Sequence, residues 1–456
     1  MPLHIVILAA GMGKRMFSQV PKVLHRIAGK PMLSRVVESA QQLNPTGIHI
    51  IYGHGGELIK RELADLPVNW VLQEKQLGTG HAVLQALPHI PDDAQVLILS
   101  GDVPLIQADT LQQLVALEDG KRLALLVAKM ADPTGLGRII RDIEGTIHAI
   151  IEEKDATAKQ RQIKEIYSGI CCAQASDLRR WLPALGNSNA QGEYYLTEII
   201  AMAVAENQSI ASLCIEENME IQGVNNRQQL QQLERIWQQK QAERLLMDGV
   251  TLADAARFDL RGEVICGQDV YIDINCVLEG KVILGNNSQI GPNCYLNNVA
   301  IGAGCEIFAN SVLENCTIGD NCEVGPFARI RPGTRLGSNC KIGNFVEAKN
   351  AVFGEHSKAS HLSYIGDATI GNQVNIGAGT ITCNYDGANK HQTIIEDGVF
   401  VGSDTQLIAP VRVGAHATIG AGSTIRKDVP AGELTLTDSR QKTVTGWKRP
   451  VKKEKM

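Results

Sequence analysis

The sequence predicts an α/β chain in two parts: a largely parallel sheet with helices on both faces, followed by a parallel β-helix of six-residue repeats. Three observations predict it. Apolar strand-like runs alternate with segments of helical period through the first half. A glycine-rich turn follows the first of those runs. From Ile272 onward an aliphatic residue returns every six positions. That spacing matches neither a helix nor simple strand alternation, and it fits a short strand plus a corner repeated along a solenoid.

In the first half the runs 5–10, 48–52, 95–99 and 124–127 read as strands, and 32–43 and 110–117 as helices. Strands alternating with helices build a largely parallel sheet, and such sheets bind ligands beyond the carboxyl ends of their strands. The first apolar run is expected to be a buried strand rather than a leader, and it is too short to cross a bilayer. It leads into Leu8-Ala9-Ala10-Gly11-Met12-Gly13-Lys14-Arg15, with Lys22 following Pro21. Glycine permits close backbone approach, N–H groups cradle phosphate, and Arg15 and Lys22 neutralise charge, so this turn points to a phosphate site. It is neither a Walker sequence nor the dinucleotide fingerprint, whose third glycine is missing.

Next comes Gln73, followed by Gly78-Thr79-Gly80-His81. Glycines that meet a flat ligand and an amide that matches a base are one reading; a tight turn into a helix with a satisfied His81 is the other. Ser100-Gly101-Asp102 ends a strand with a carboxylate, placed either to hold Mg²⁺ or to cap the next helix. Residues 227–249 are rich in Gln, with Leu230, Leu233, Trp237 and Leu245 loosely on one face. They read as a connecting helix with Gly249 near its end.

The repeat runs Ile272, Leu278, Leu284, Ile290, Leu296, slips by one residue at Ile301 and again at Ile318, and returns from Val401 to Ile425. Gly usually follows the aliphatic residue, as at Gly285, Gly291, Gly319 and Gly402, and a small residue stands four positions after it. The aliphatic side chain points inward and stacks on its equivalents, and Gly is expected to relieve the corner. Cys276, Cys294, Cys305, Cys322 and Cys340 all take the small position and read as interior packing groups. The pattern breaks between Thr382 and Val401, around Cys383-Asn384-Tyr385-Asp386-Gly387-Ala388-Asn389-Lys390. Solenoids accept insertions as loops on one face, often the binding face, so this loop is a functional candidate.

Composition agrees. The chain of 456 residues has room for two or three domains. Aromatic residues make up only 4%, as a narrow solenoid core requires. A net charge of −5 argues against a nucleic-acid partner or an anionic membrane. Among 11 cysteines there is no C-x-x-C pair, and Cys171 adjoins Cys172, which suits neither zinc nor an ordinary disulfide; a reducing cytoplasm is expected. The basic end, 448–455, reads as a solvated tail.

The motifs at 8–16, 77–81, 101–105, 189–195, 223–227 and 375–390 closely resemble those of one family, the bacterial bifunctional N-acetylglucosamine-1-phosphate uridyltransferase / glucosamine-1-phosphate acetyltransferases. The resemblance covers nearly the whole chain. It implies a Rossmann-like nucleotidyltransferase domain over 1–226, a linker helix over 227–249, and a left-handed β-helix acetyltransferase domain over 250–456. It further implies a cytoplasmic homotrimer acting on glucosamine-1-phosphate, acetyl-CoA and UTP, with Mg²⁺.

By the same resemblance, UTP and the sugar nucleotide would meet Leu8, Ala9, Ala10, Gly11, Arg15, Lys22, Gln73, Gly78, Thr79, Ser100, Gly101, Asp102, Gly137, Glu152, Tyr167 and Asn225. Asp102 and Asn225 would hold Mg²⁺. In the β-helix, His361 would be the catalytic base and Glu347 its orienting partner. Arg331, Lys349, Tyr364, Asn375 and Lys390 would bind glucosamine-1-phosphate, and Ala378, Asn384, Tyr385, Ser403, Ala421 and Arg440 acetyl-CoA. The sequence departs from the family at Lys14, where a small hydroxyl residue is usual, and at Ser100, in place of Tyr. It departs again at Tyr167-Ser168-Gly169, in place of Asn-Thr-Gly, and at Asp438, where Arg is usual and Arg440 or Lys442 would substitute.

Two other functions fit parts of the sequence: a single-activity sugar-1-phosphate nucleotidyltransferase with a purely structural β-helix, and an assembly protein with both sites dead. Glu347, Lys349, His361 and the Asn384-Tyr385 loop speak against the first; Arg15, Lys22, Asp102 and Asn225 speak against the second.

Overall fold

Residues of alternating direction build the first sheet. Its strands are β1 (Leu3–Leu8), β2 (Gly47–Tyr52), β3 (Asn69–Leu72), β4 (Gln95–Ser100), β5 (Arg122–Lys129), β6 (Arg138–Arg141), β7 (Ile147–Ile151), β8 (Glu165–Gln174) and β9 (Ser209–Ile215). Along β1, Val6 enters one core while Ile5 and Ile7 enter the other; Val96 and Ile98 of β4 alternate with Leu97 and Leu99 in the same way. Both faces are therefore covered, and the strands read as unbroken apolar runs. The computed structural model describes residues 1–11, 13–53, 55–216, 218–438 and 440–450. Met12 of the glycine turn and 451–455 of the basic end lie outside the described residues.

The sheet path is β9-β5-β8-β4-β1-β2-β3, with β6 and β7 attached through β8. β1 lies between β2 and β4 and is parallel to both, with Leu8 opposite Ser100. The chain leaves β1 in two directions, so the carboxyl ends of β1 and β4 open a crevice where a ligand fits. β8 runs antiparallel to β4 and β5, a reversal that an apolar pattern alone does not encode.

The helix Arg227–Met247 begins beside this sheet. Leu233 is buried with Met16, Ile27, Met32 and Val224, and Trp237 lies 3.7 Å from the Arg35 guanidinium. By its contacts the chain divides into two units, Met1–Lys240 and Gln241–Met456. No helix among the described residues is long and apolar enough to cross a membrane.

In the second unit the ladders of the two sheets, eleven-stranded and thirteen-stranded, are parallel among the described residues, as a parallel β-helix requires. Ile272 pairs with Ile290, and Ile290 with Ile307, so the repeated aliphatic residues stack in register. The cysteines at the small position are buried and free. Cys276 Sγ donates to Gly291 O at 3.2 Å and Cys322 Sγ to Gly337 O at 3.1 Å. Ser288 and Ser357 do the same in other coils, at 2.8 and 2.6 Å. In these coils the small residue also donates to a carbonyl of the following coil, while Ala328 and Ala417 fill the same position by volume alone.

Glycine plays a different part from the one expected. The left-handed conformation at corners is taken by Asn, as at Asn287, Asn293, Asn321 and Asn339, and by other glycines, as at Gly304, Gly333 and Gly422, but not by Gly285, Gly291, Gly319 or Gly402, which follow the aliphatic residue. The glycine after the aliphatic residue is needed for close stacking: a Cβ at Gly285 would lie 2.5 Å from the carbonyl carbon of Gly302. At the break, Asn372 bonds Asp397, 25 positions on, where other coils span 17 or 18. The extra residues leave the coil as a loop.

Candidate active sites

The first site lies at the carboxyl ends of β1 and β4. A cleft of about 330 Å³ is lined by Leu8, Ala9, Ala10, Gly11, Lys22, Gln73, Gly78, Thr79, Ser100 and Asp102, together with Val23, Gln76, Ala82 and Glu193. Gln76 stands between Gln73 and Gly78 and Glu193 within the 189–195 motif, but sequence reasoning gave neither a role; the fold brings them in. Gly101 packs closely against β1, since a Cβ there would meet Leu8 O at 3.1 Å. Gly13 is in the left-handed conformation (φ +58°), and a Cβ on it would lie 2.8 Å from Lys22 Cβ, so the turn folds tightly onto Lys22.

Lys22, Asp102 and Asn225 converge. Lys22 Nζ is ion-paired with Asp102 Oδ2 and lies 3.3 Å from Asn225 Oδ1, while Arg15 Nη2 donates to Asn225 Oδ1 at 2.9 Å. Asn225 arrives because the Val224 amide donates to Asp102 O at 2.9 Å, and its own N–H is held by Gln229 Oε1 at 2.7 Å. A carboxylate and an amide oxygen thus already face one cation position. Hard oxygen donors of this kind suit Mg²⁺, which takes its other ligands from water and phosphate.

Gln73 is 2% exposed. Its Nε2 donates to Gly78 O at 3.2 Å and lies 2.9 Å from His81 Nδ1, so it forms a fixed polar floor. Gly78, at φ +120°, backs onto Tyr194, whose carbonyl would lie 2.6 Å from an added Cβ. Thr79 Oγ1 accepts from Leu196 N at 3.0 Å. Gly137, Glu152 and Tyr167 form a neighbouring group. Thr197 Oγ1 donates to Glu152 Oε1 at 3.2 Å, Tyr167 N to Gly137 O at 2.9 Å, and a Cβ at Gly137 would lie 3.8 Å from the Glu152 carboxylate. Burial pushes the Glu152 carboxyl above its ordinary range. Tyr167 is buried, and its phenol, pushed up by burial first, bonds the Cys171 thiol.

The second site is on the outside of the β-helix. His361 is exposed, and its Nδ1 donates to Asn344 Oδ1 at 2.7 Å, which leaves Nε2 as the basic nitrogen. Glu347, expected to orient this ring, bonds elsewhere. It is bonded to Arg331 Nη1 at 2.7 Å. Ladder register explains the difference. Asn344 stands opposite His361, one coil apart, whereas Glu347 stands opposite Tyr364.

Lys349 and Lys390 come together from different coils: the Lys349 ammonium pushes the Lys390 pKa down, against the opposing pull of Asp367. Partial burial raises the Asp367 carboxyl, but hydrogen bonds from Asn350 and Asn384 and the two lysine charges more than offset it, so it sits below its usual range. Adjacent ammoniums make a place for an anion. Asn375 lies in register with Lys358 on one side and Phe400 on the other. Tyr364 folds over Gly366, where a Cβ would meet its hydroxyl at 2.4 Å.

Ala378, Ser403 and Ala421 form a column up one corner, linked by Asp404 N to Ala378 O at 2.7 Å and Gly422 N to Ser403 O at 2.8 Å. Asn384 is buried at the neck of the inserted loop, with Nδ2 2.5 Å from Asp367 Oδ2, while Tyr385 is exposed. Arg440 is apart from this group: it lies in exposed chain after the last strand, Leu434–Thr435, with Nε 4.0 Å from Asp438.

Family models match both halves: a MobA-like NTP transferase domain over residues 5–185, a GMPPB C-terminal domain over 260–338, and six bacterial transferase hexapeptide repeats over 392–427. The bifunctional protein GlmU of Legionella pneumophila (strain Philadelphia 1) is 67% identical over 460 residues, covering 100% of both chains. This chain belongs to the GlmU family. The GlmU proteins of Marinobacter nauticus and Aromatoleum aromaticum are 58% and 54% identical, over 99% of each chain. As a GlmU-family member, this chain is a bifunctional transferase with a nucleotidyltransferase domain of Rossmann-like fold and a hexapeptide-repeat acyltransferase domain.

Proposed function

We propose that this chain makes UDP-N-acetylglucosamine in two steps: acetyl transfer to glucosamine-1-phosphate at the β-helix, then uridylyl transfer to N-acetylglucosamine-1-phosphate at the sheet crevice. The observation that carries the reading is that each half holds its own charged constellation. Lys22, Arg15, Asp102 and Asn225 meet in one; the other carries the exposed His361, the Arg331–Glu347 ion pair and the adjoining Lys349 and Lys390.

In the crevice the sugar phosphate attacks the α-phosphate of UTP and pyrophosphate leaves. Such transfers depend mostly on positioning and charge neutralisation. Arg15 and Lys22 balance the triphosphate, and Gln73 and the Gly78 backbone hold the uracil. Gly137, Glu152 and Tyr167 face the sugar. Asp102 and Asn225 would hold Mg²⁺, which would neutralise charge on the phosphates, and Lys22 would pair with phosphate.

At the β-helix the glucosamine amine attacks the acetyl-CoA thioester, and its proton goes to His361 Nε2. Lys349 and Lys390 bind the phosphate dianion, which relieves their mutual repulsion, and Arg331 contributes while neutralised by Glu347. Asn375 and Tyr364 line the sugar. Ala378, Asn384, Tyr385, Ser403 and Ala421 contact acetyl-CoA, and Arg440 meets the CoA phosphate once the terminal segment folds over it. The protein works in the cytoplasm as a homotrimer that encloses this exposed site. Exposed Phe327 and Phe345, stacked at 5.3 Å, support a covered face.

The test is to incubate the protein with acetyl-CoA, glucosamine-1-phosphate, UTP and Mg²⁺, following free thiol and pyrophosphate. Both products are expected. No thiol release sinks the acetyltransferase step. No pyrophosphate, even with N-acetylglucosamine-1-phosphate supplied, sinks the uridylyl step.

A further inference from the structure

The inserted loop, 384–391, has left the regular coil and with it the ladder bonds that order its neighbours, so it must be ordered from within. Three backbone contacts do part of this. His391 N donates to Asn384 O at 2.8 Å and Asp386 N to Asn389 O at 3.2 Å, and Tyr385 forms an antiparallel bridge with Lys390. Tyr385 Oη donates to Gly387 O at 2.6 Å and Asn384 Nδ2 to Asp367 Oδ2, and three further bonds converge on one carboxylate. Asp386 Oδ1 accepts from Ala388 N at 2.8 Å and Asn389 N at 2.7 Å, and Oδ2 accepts from His391 Nε2 at 2.7 Å.

We infer that Asp386 and His391 are positioning residues for acetyl transfer: their contact clasps the loop shut and fixes Lys390 against Lys349 before substrate arrives. The inference rests on the acetyltransferase reading above. Neither residue belongs to the constellation described so far, and neither is in contact with His361. Their side chains are partly exposed, 33% for His391 and 46% for Asp386, so the contact contributes little to global stability. Its consequence is local. Lys390 adjoins His391 in sequence and is repelled by Lys349; an unclasped loop lets it swing away.

The three donors hold the Asp386 carboxyl far below its usual range, with the Asn389 amide contributing most. It therefore stays ionised and ready to accept. Opening the loop removes no group that reacts, and a bound sugar phosphate draws Lys390 back. The cost of a broken clasp falls on substrate binding rather than on turnover.

Steady-state thiol release tests this. His391→Ala is expected to raise KM for glucosamine-1-phosphate by about fivefold or more while kcat at saturation stays within about twofold. His391→Gln, whose side-chain N–H can still donate to Asp386, is expected to restore KM to within about twofold of the original. Asp386→Ala should match His391→Ala, and the double variant should be no worse than either single one, because both remove the same contact. A KM unchanged in His391→Ala, a loss confined to kcat, or a His391→Gln as impaired as His391→Ala overturns the clasp while leaving the acetyltransferase reading intact. An unsubstituted protein that releases no thiol overturns that reading, and the clasp with it.

Discussion

Lys22 and Asn225 stand 203 positions apart, yet both reach Asp102, because the Val224 amide ties the later segment to the Asp102 carbonyl. Glycine spacing and the family motifs picked out each of these residues; only the fold gives the reason they meet. Glu347 shows the opposite case. Sequence reasoning paired it with His361, but the ring's partner is Asn344, because coil register rather than residue type decides which side chains face each other.

A buried pair that no motif marked lies on β1 and β2. His4 Nδ1 is 3.0 Å from His49 Nε2, both side chains are buried, and His89 stacks on His49 at 6.3 Å. Burial, then the neighbouring His4 and His89, push His49 down to about 4. Between the ordinary imidazole value near 6.5 and that value, the unfolded chain binds more protons than the folded one. Stability is therefore complete above about pH 6.5 and falls as pH drops toward 4, by at most about 1.4 kcal/mol per pH unit from this group. Denaturant midpoints at pH 7.5 and pH 5 should separate clearly in the original protein and less in His49→Gln. Equal separation in both would clear His49 of responsibility.

At the scale of the element, the six-residue period revealed the β-helix because each coil repeats the same inward position, a constraint strong enough to survive in one sequence. The break at 383–390 was legible for the same reason. The division of labour between glycine and asparagine was not, since a sequence does not distinguish a residue needed for its torsion from one needed for its lack of a Cβ. Gly285→Ala tests the distinction. Its methyl would meet the Gly302 backbone at 2.5 Å, so a loss of about 1–3 kcal/mol is expected in denaturant titration, and Gly285→Asn, which a left-handed corner would tolerate, should lose at least as much. Cys322→Ser should change stability by less than about 1 kcal/mol, because Ser288 and Ser357 already make the equivalent bond in other coils. A loss of several kcal/mol there would show that the thiol's volume, not its donor, is what the position requires.

Across the whole molecule, the order of strands in the first sheet was only partly legible. Apolar runs located β1, β2, β4 and β5, but a buried strand carries no mark of direction, and the antiparallel β8 emerged only from pairing. The two halves nonetheless carry separate sets of charged residues, Met1–Lys240 holding Asp102 and Gln241–Met456 holding His361. The account's central claim is that these are two independent active sites on one chain. It is tested by following thiol release from acetyl-CoA, and pyrophosphate formation from UTP and N-acetylglucosamine-1-phosphate, in His361→Ala and Asp102→Ala. His361→Ala should lose thiol release by about a hundredfold or more and keep pyrophosphate formation; Asp102→Ala should do the reverse. Loss of both activities in either folded variant would contradict the claim.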